Sequence, residues 1–225
     1  MLKIGVLISG RGSNLQALID DLRQPGAPAK IVCVISNEAE VQGLERARKA
    51  NIPTEILSHR EFKTREEFDR ALDAKLRAHG VELVCLAGFM RLLSPWFAET
   101  WRDKLVNIHP SLLPSFPGLH PHRDALAAGV KFSGCTVHFV RPETDKGPII
   151  IQAAVPVLPD DDEQTLSARI LAAEHKAYPQ AVRFIAEGRV NVYEERVFVA
   201  DATAPANAVL NPAAVTGLAK SRAAQ

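Results

Sequence analysis

Asn107 and His109 stand two residues apart at the end of an apolar run, in "LVNIHPSLLPSFPG" (residues 105–118), and a proline follows the histidine at once. In an extended segment alternate side chains share a face, so the amide and the imidazole project together while Ile108 turns the other way. Pro110 cannot continue a central ladder, and Pro114 and Pro117 stiffen the exit. An amide N–H can stabilise a developing oxyanion and an imidazole can donate or shuttle a proton near neutral pH, which together suit acyl transfer. A further loop supplies an acid: in "RPETDKGP" Asp145 precedes a Lys-Gly-Pro turn after the apolar run "CTVHFV". A carboxylate beside His109 would favour its imidazolium form, although Asp-x-Gly is also an ordinary turn signal.

A second constellation lies at the other end of the chain. In "SGRGSNLQAL" (residues 9–18) Gly10 and Gly12 allow a tight turn and close approach of a ligand. Ser13 and Asn14 are expected to cap the helix that follows and to leave amide N–H groups free for an anion such as phosphate. The letters fit neither GxGxxG nor GxxxxGK[ST], so no dinucleotide or nucleoside triphosphate is indicated. A simple helix cap would explain the same residues. His120, His122 and His138 lack an HExxH pattern or a cysteine partner, and no metal centre is expected.

These loops need elements to position them. Apolar runs of strand length ("LKIGVLIS", "KIVCVIS", "PTEIL", "VELVCLAGF", "KLVNIH", "GCTVHFV", "PIIIQAAVPV") alternate with amphipathic stretches. The stretches are "SNLQALIDDL", "VQGLERARKA", "TREEFDRALDAKLRAHG" and "SPWFAETWRDKL". The alternation predicts an α/β chain: a mainly parallel, Rossmann-like open sheet with helices on both faces, and an antiparallel portion near the C-terminal end where intervening helices thin out. "DEQTLSARILAAEHKAYPQAVRFIAEG" reads as one long helix with a bend at Pro179, and "RVNVYEERVFVA" as a last hairpin or edge strand. Residues 1–201 form a single expected domain, and 202–225, rich in Ala and Pro, an expected mobile tail. Ligands of open α/β sheets sit beyond the carboxyl ends of the strands, where all three loops fall.

An apolar fraction of 47% over 225 residues is enough to bury a sizeable core. Lys and Arg number 27 against 26 Asp and Glu, which gives no electrostatic ground for a nucleic acid or an acidic membrane as partner. Small-molecule substrates are the expectation. Cys33, Cys85 and Cys135 form no CxxC pair, as expected of a protein kept in a reducing cytoplasm. The opening "MLKIGVLISG" has the length of one strand and is expected to be neither signal peptide nor membrane span.

Taken in order, "SGRGSNLQAL", "SN…GLERA", "LAGFMRLLS", "NIHPSLLPSFPGLHPHRDAL", "GCTVHFV…TDKGPII" and "EHKAYP" resemble the phosphoribosylglycinamide formyltransferases of the folate-dependent formyltransferase superfamily. The resemblance runs from the first strand to about residue 190. It implies a catalytic trio of Asn107, His109 and Asp145, and a ribonucleotide site made by Gly12, Ser13, Asn14 and Glu174. It also implies a folate site lined by Arg65, Met90, Arg91, Leu92, Leu93 and Asn107, with backbone from Arg141 to Asp145. The implied formyl donor is 10-formyltetrahydrofolate, consumed in the reaction, with glycinamide ribonucleotide as acceptor, no metal or nucleotide cofactor, and a monomer or homodimer in the cytoplasm. Arg11, Lys146 and Leu171 depart from the family pattern at the edges of these pockets. A formyltetrahydrofolate hydrolase and a methionyl-tRNA formyltransferase would share the trio, but the first is expected to carry an N-terminal module and the second a basic C-terminal domain. A non-catalytic ligand-binding module on the same fold is the alternative from another class.

Overall fold

The computed structural model describes residues 1–212. The chain runs β1 (Leu2–Ile8), α1 (Ser13–Leu22), β2 (Ala29–Ser36), α2 (Gln42–Lys49), β3 (Thr54–Ile56), a short 3-10 turn (His59–Glu61) and α3 (Arg65–Ala78). It continues with β4 (Leu83–Leu86), α4 (Pro95–Thr100), β5 (Leu105–His109), α5 (Pro121–Ala127), β6 (Phe132–Phe139), β7 (Ile149–Pro156) and α6 (Glu163–Ala186), then a hairpin of β8 (Val190–Tyr193) and β9 (Arg196–Val199).

Seven strands form one sheet in the order β3-β2-β1-β4-β5-β6-β7. Neighbours are parallel from β3 to β5, and β6 and β7 are added antiparallel. The antiparallel portion predicted from the thinning helices is therefore β5-β6-β7, with β8-β9 as a separate pair.

The central strands are apolar on both faces because both faces are covered. Ile4, Val6 and Ile8 of β1 face a core built with Leu15, Leu18 and Ile19 of α1 and with Ile170, Tyr178 and Val182 of α6. Leu7, Val84 and Leu105 face the opposite core, with Phe68, Leu72 and Leu76 of α3 and Phe97 and Trp101. The buried residues of α1 recur as one helical stripe, and those of α3 do so every fourth residue, as the sequence pattern requires. Thr64 and Glu67 close a capping box at the start of α3, and Asp162 and Thr165 do so for α6.

Some elements differ from expectation. The stretch "SPWFAETWRDKL" predicts a helix of a dozen residues, but α4 ends at Thr100. The chain there must turn to enter β5: Lys104 N–H donates to the Trp101 carbonyl and Asp103 takes a positive φ of 57°. One helix, α5, is additional; seven residues starting at Pro121 are too few to show a clear stripe. Pro179 lies inside α6, which runs unbroken through 24 residues. Of the expected tail, Asn211 donates to the Lys131 and Val157 carbonyls at 2.5 and 3.0 Å, and residues 213–225 lie outside the described residues. No helix of the described residues is long and apolar enough to cross a membrane.

The long helix is pinned to the middle of the sheet by a buried polar group. The fully buried Tyr178 hydroxyl lies 2.9 Å from the Leu86 carbonyl and 3.2 Å from that of Val106, on two adjacent strands. Tyr178→Phe keeps the packing and removes this donor. It should lower unfolding stability by about 1 kcal/mol with an unchanged denaturant slope, read in a urea titration.

Candidate active site

β5 and β6 pair antiparallel with Asn107 opposite His138 and His109 opposite Thr136. Leu105 faces the α3 side, so Asn107 and His109, at successive even steps, follow on that face. Asp145 reaches them from the loop after β6: its Oδ2 is 3.6 Å from His109 Nδ1 and its Oδ1 3.9 Å from His138 Nε2. The same Oδ2 accepts the Gly118 N–H at 2.9 Å, which ties the proline-rich loop to the loop bearing the acid. Asp145 itself adopts a left-handed φ of 56°, a conformation to which Asp is better suited than most residues. The structure thus brings together the three residues of the implied trio.

His109 lies among acceptors. Its Nε2 donates to the Phe116 carbonyl at 3.0 Å, while Nδ1 faces Asp145. A ring carrying both N–H groups satisfies both sides. His138 is arranged differently: Nδ1 donates to the Phe139 carbonyl at 2.9 Å, which leaves Nε2 to accept from Asn107 Nδ2 at 3.3 Å. Burial pushes the His138 pKa down, against the opposing pulls of the Phe139 carbonyl and Asp145, and so keeps the ring neutral for that role. His138 therefore fixes which way the Asn107 amide points. Sequence reading considered this residue only as a metal ligand. The signal that could have found it is its place in "CTVHFV", whose alternation puts it on the face of β6 opposite the Val137 and Phe139 side chains.

Two more residues that sequence reading passed over hold the proline-rich loop. Thr136 Oγ1 donates to the Ser111 carbonyl at 2.7 Å and accepts the Leu113 N–H at 3.0 Å. Gln152 of β7 adds a bond from Nε2 to the Leu113 carbonyl at 2.9 Å. The loop that carries the Phe116 carbonyl to His109 is thereby fastened to both antiparallel strands.

At the head of α1 the expected cap is corrected. The cap position is Gly12, with a left-handed φ of 68°, and no side chain caps the helix; Ser13 and Asn14 are its first residues. Gly12 is required for space as well as φ, since a Cβ there would come within 2.6 Å of Gly43 Cα. Helix α2 packs against this loop: Gly43 N–H donates to the Gly10 carbonyl at 3.1 Å and Arg46 Nε to the Arg11 carbonyl at 2.9 Å. No side chain caps the first-turn amides of α1, and Ser13 borders a groove of about 570 Å³ lined also by Gln16, Asp20, Asp21, Arg46, His175 and Lys176. Asn14 turns inward instead, and its Nδ2 donates to Glu174 Oε2 of α6 at 2.7 Å. Burial raises the Glu174 pKa, with the Asn14 bond opposing, and Asn14 Oδ1 is buried without a partner. Gly12, Ser13, Asn14 and Glu174 are brought together.

Met90, Arg91, Leu92 and Leu93 form an irregular segment between β4 and α4, with Met90 71% and Leu92 59% exposed. These are large apolar side chains left in water at the carboxyl edge of the sheet, as a binding rim would require. Arg91 stacks its guanidinium over Phe68 at 5.1 Å. Arg65 is the exposed first residue of α3 and, like Arg91, lies within electrostatic reach of Asp69. Among the outlying residues, Lys146 pairs with Glu143 at 3.0 Å on the surface. Among the described residues no group of three or more His, Cys, Asp and Glu side chains is arranged to hold a metal.

An open α/β sheet whose strand ends gather a fixed amide, an imidazole between two acceptors and a carboxylate has the parts of an acyl-transfer site. Residues 2–182 match the formyl transferase family, and the chain belongs to it. It is 46% identical to the Escherichia coli phosphoribosylglycinamide formyltransferase over 88% of this chain and 93% of that one. It is 55% identical to a trifunctional purine biosynthetic protein of Drosophila pseudoobscura over 86% of this chain, and spans only 14% of that protein's length. The crystal structure of a glycinamide ribonucleotide transformylase from Symbiobacterium toebii superposes with a TM-score of 0.87 at 50% identity, covering 89% of this chain and 95% of that one.

The raised Glu174 pKa gives a stability prediction. A carboxyl whose folded pKa lies above its unfolded value stabilises the fold fully below the ordinary carboxylate range, and that contribution is lost as pH rises through the raised value. Glu174→Gln removes the loss. Melting curves of the free protein from about pH 4 to about pH 8 should show the variant gaining on wild type as pH rises, with no gain at the acid end.

Proposed function

We propose that this chain transfers the formyl group of 10-formyltetrahydrofolate to the amine of 5-phosphoribosylglycinamide, yielding N-formylglycinamide ribonucleotide and tetrahydrofolate in de novo purine (IMP) biosynthesis. The observation that carries the reading is the juxtaposition of Asn107, His109 and Asp145 on one face of the β5–β6 pair, 3.6 Å separating the last two, in a chain of this family. The formyl donor is a co-substrate consumed in each turnover. The whole site is carried by residues 1–201 as one catalytic domain, working on small molecules in the cytoplasm as a monomer or homodimer.

The chemistry follows from the groups. The acceptor amine attacks the formyl carbon, a C–N bond forms, and negative charge gathers on the formyl oxygen while positive charge gathers on the incoming nitrogen. Asn107, with its amide oriented by His138, and an N–H of His109 donate to that oxygen. At His109 Nε2 the formyl oxygen takes the place of the Phe116 carbonyl. Asp145, 3.6 Å from His109 Nδ1, relays the proton leaving the amine toward the departing folate nitrogen as the second C–N bond breaks. The uncapped amides at the head of α1 receive the ribonucleotide phosphate, and Glu174 and Asn14 meet the ribose. Segment 90–93 and Arg65 receive the folate.

Purified protein mixed with 10-formyltetrahydrofolate should release tetrahydrofolate only when glycinamide ribonucleotide is present, with the formylated product detected by mass. Release without the ribonucleotide would make water the acceptor, and no release in either case would favour a binding module. His109→Ala and Asp145→Asn should each lower turnover by about two to three orders of magnitude while KM changes little. Steady-state kinetics check this; a rise in KM with unchanged turnover would refute the assigned roles.

A further inference from the structure

The segment Met90–Leu93 has no secondary structure of its own, yet side chains from two distant elements hold its ends. At one end Met90 N–H donates to Ser9 Oγ at 2.8 Å, and Ser9 N–H donates to the Gly88 carbonyl at 3.1 Å. Ser9 Oγ in turn donates to Asn37 Oδ1 at 2.5 Å, and Asn37 is buried, so the hydroxyl is fixed in direction. At the other end Ser94 N–H donates to Asp69 Oδ2 at 2.5 Å. Asp69 is wholly buried on α3, and its other oxygen has no hydrogen-bond partner. Among the described residues no backbone N–H or C=O of Arg91, Leu92 or Leu93 is engaged in a hydrogen bond.

A loop with free polar backbone is ordinarily mobile, because water satisfies it in many conformations. Here one anchoring acceptor, Ser9, is half-buried just after β1 and fixed by the buried Asn37, and the other, Asp69, is buried on α3, so ordering has been supplied before any ligand arrives. We propose that Ser9 and Asp69 are positioning residues for the formyl-donor site, clamping segment 90–93 so that its unpaired backbone groups meet a flat heterocycle already in place. The inference rests on the donor reading of that segment. It also gives Ser9 a task separate from that of Gly12, Ser13 and Asn14 in the same loop. Burial raises the Asp69 pKa, with the Ser94 bonds, Arg91 and Arg65 opposing, so a neutral acceptor of the same shape is a fair substitute.

The test compares Ser9→Ala and Asp69→Ala with Ser9→Thr and Asp69→Asn, which keep a hydroxyl and a carbonyl acceptor. Amide hydrogen exchange on the free protein should show protection at Met90 lost in Ser9→Ala and at Ser94 lost in Asp69→Ala, each restored by its conservative partner. Steady-state kinetics should show KM for the formyl donor raised roughly three- to tenfold in each alanine variant, with KM for the ribonucleotide nearly unchanged. The double variant should show less than the product of the two effects, because both release one segment. Equal rises in both KM values, or a wild-type donor KM together with intact Met90 protection in Ser9→Ala, would overturn the clamp. Should Asp69→Ala fail to fold, Ser9→Ala and Asp69→Asn still decide the matter. A wild-type protein that releases no folate would instead refute the proposed function and the donor assignment of this segment.

Discussion

The site depends first on the pairing of β5 with β6. Reversal of strand direction at this point of the sheet sets Asn107 beside His138 and His109 beside Thr136, so one face of two strands carries an amide, two imidazoles and a hydroxyl. A parallel neighbour would require a crossover of a dozen or more residues and would present a different set of side chains. The loop after β6 leaves the sheet beside the amino end of β5, where Val140 N–H donates to the Leu105 carbonyl, and returns along the sheet face to set Asp145 beside His109 and His138. Slipping the register by one residue would turn His138 into the core and Val137 or Phe139 into the site.

The two histidines illustrate how surroundings, and not residue type, assign roles. His138 donates one nitrogen to the Phe139 carbonyl and is pushed toward neutrality by burial, so its remaining lone pair can orient an amide. His109 has a carbonyl on one side and a carboxylate on the other, a setting for a proton donor. Thr136 and Gln152 complete the arrangement from behind, since the Phe116 carbonyl is only as well placed as the loop that bears it.

The other loops at the strand ends are built by the same means. Loops beyond the strand ends carry the polar groups, and helices packed on either face hold the loops still. Gly12 and Gly43 allow α2 to close on the first loop, and Glu174 of α6 reaches Asn14 across 160 residues of sequence. Ser9 and Asp69 do for segment 90–93 what α2 does for residues 10–14. In each case a buried or half-buried anchor fixes irregular backbone that must stay polar and accessible.

The sequence by itself determined the alternation of strands and helices, the late antiparallel turn of the sheet, and the pairing of Asn107 with His109 on one face. These rest on local periodicity and on proline chemistry, which need no distant partner. Its order of motifs also carried the resemblance to the formyltransferases that the family match bears out. The early end of α4 and the short α5 were not legible, because one is stopped by the need to enter β5 and the other is too brief to show a period. Nor was the inward turn of Asn14, which the letters offered as a helix cap and Glu174 claims instead. His138, Thr136, Gln152, Ser9 and Asp69 act through register and long-range hydrogen bonds, whose partners lie 23 to 81 residues away in several cases. Only the folded sheet decides which of these side chains share a face, since contact between distant segments is a property of strand order and pairing and leaves no mark on local sequence.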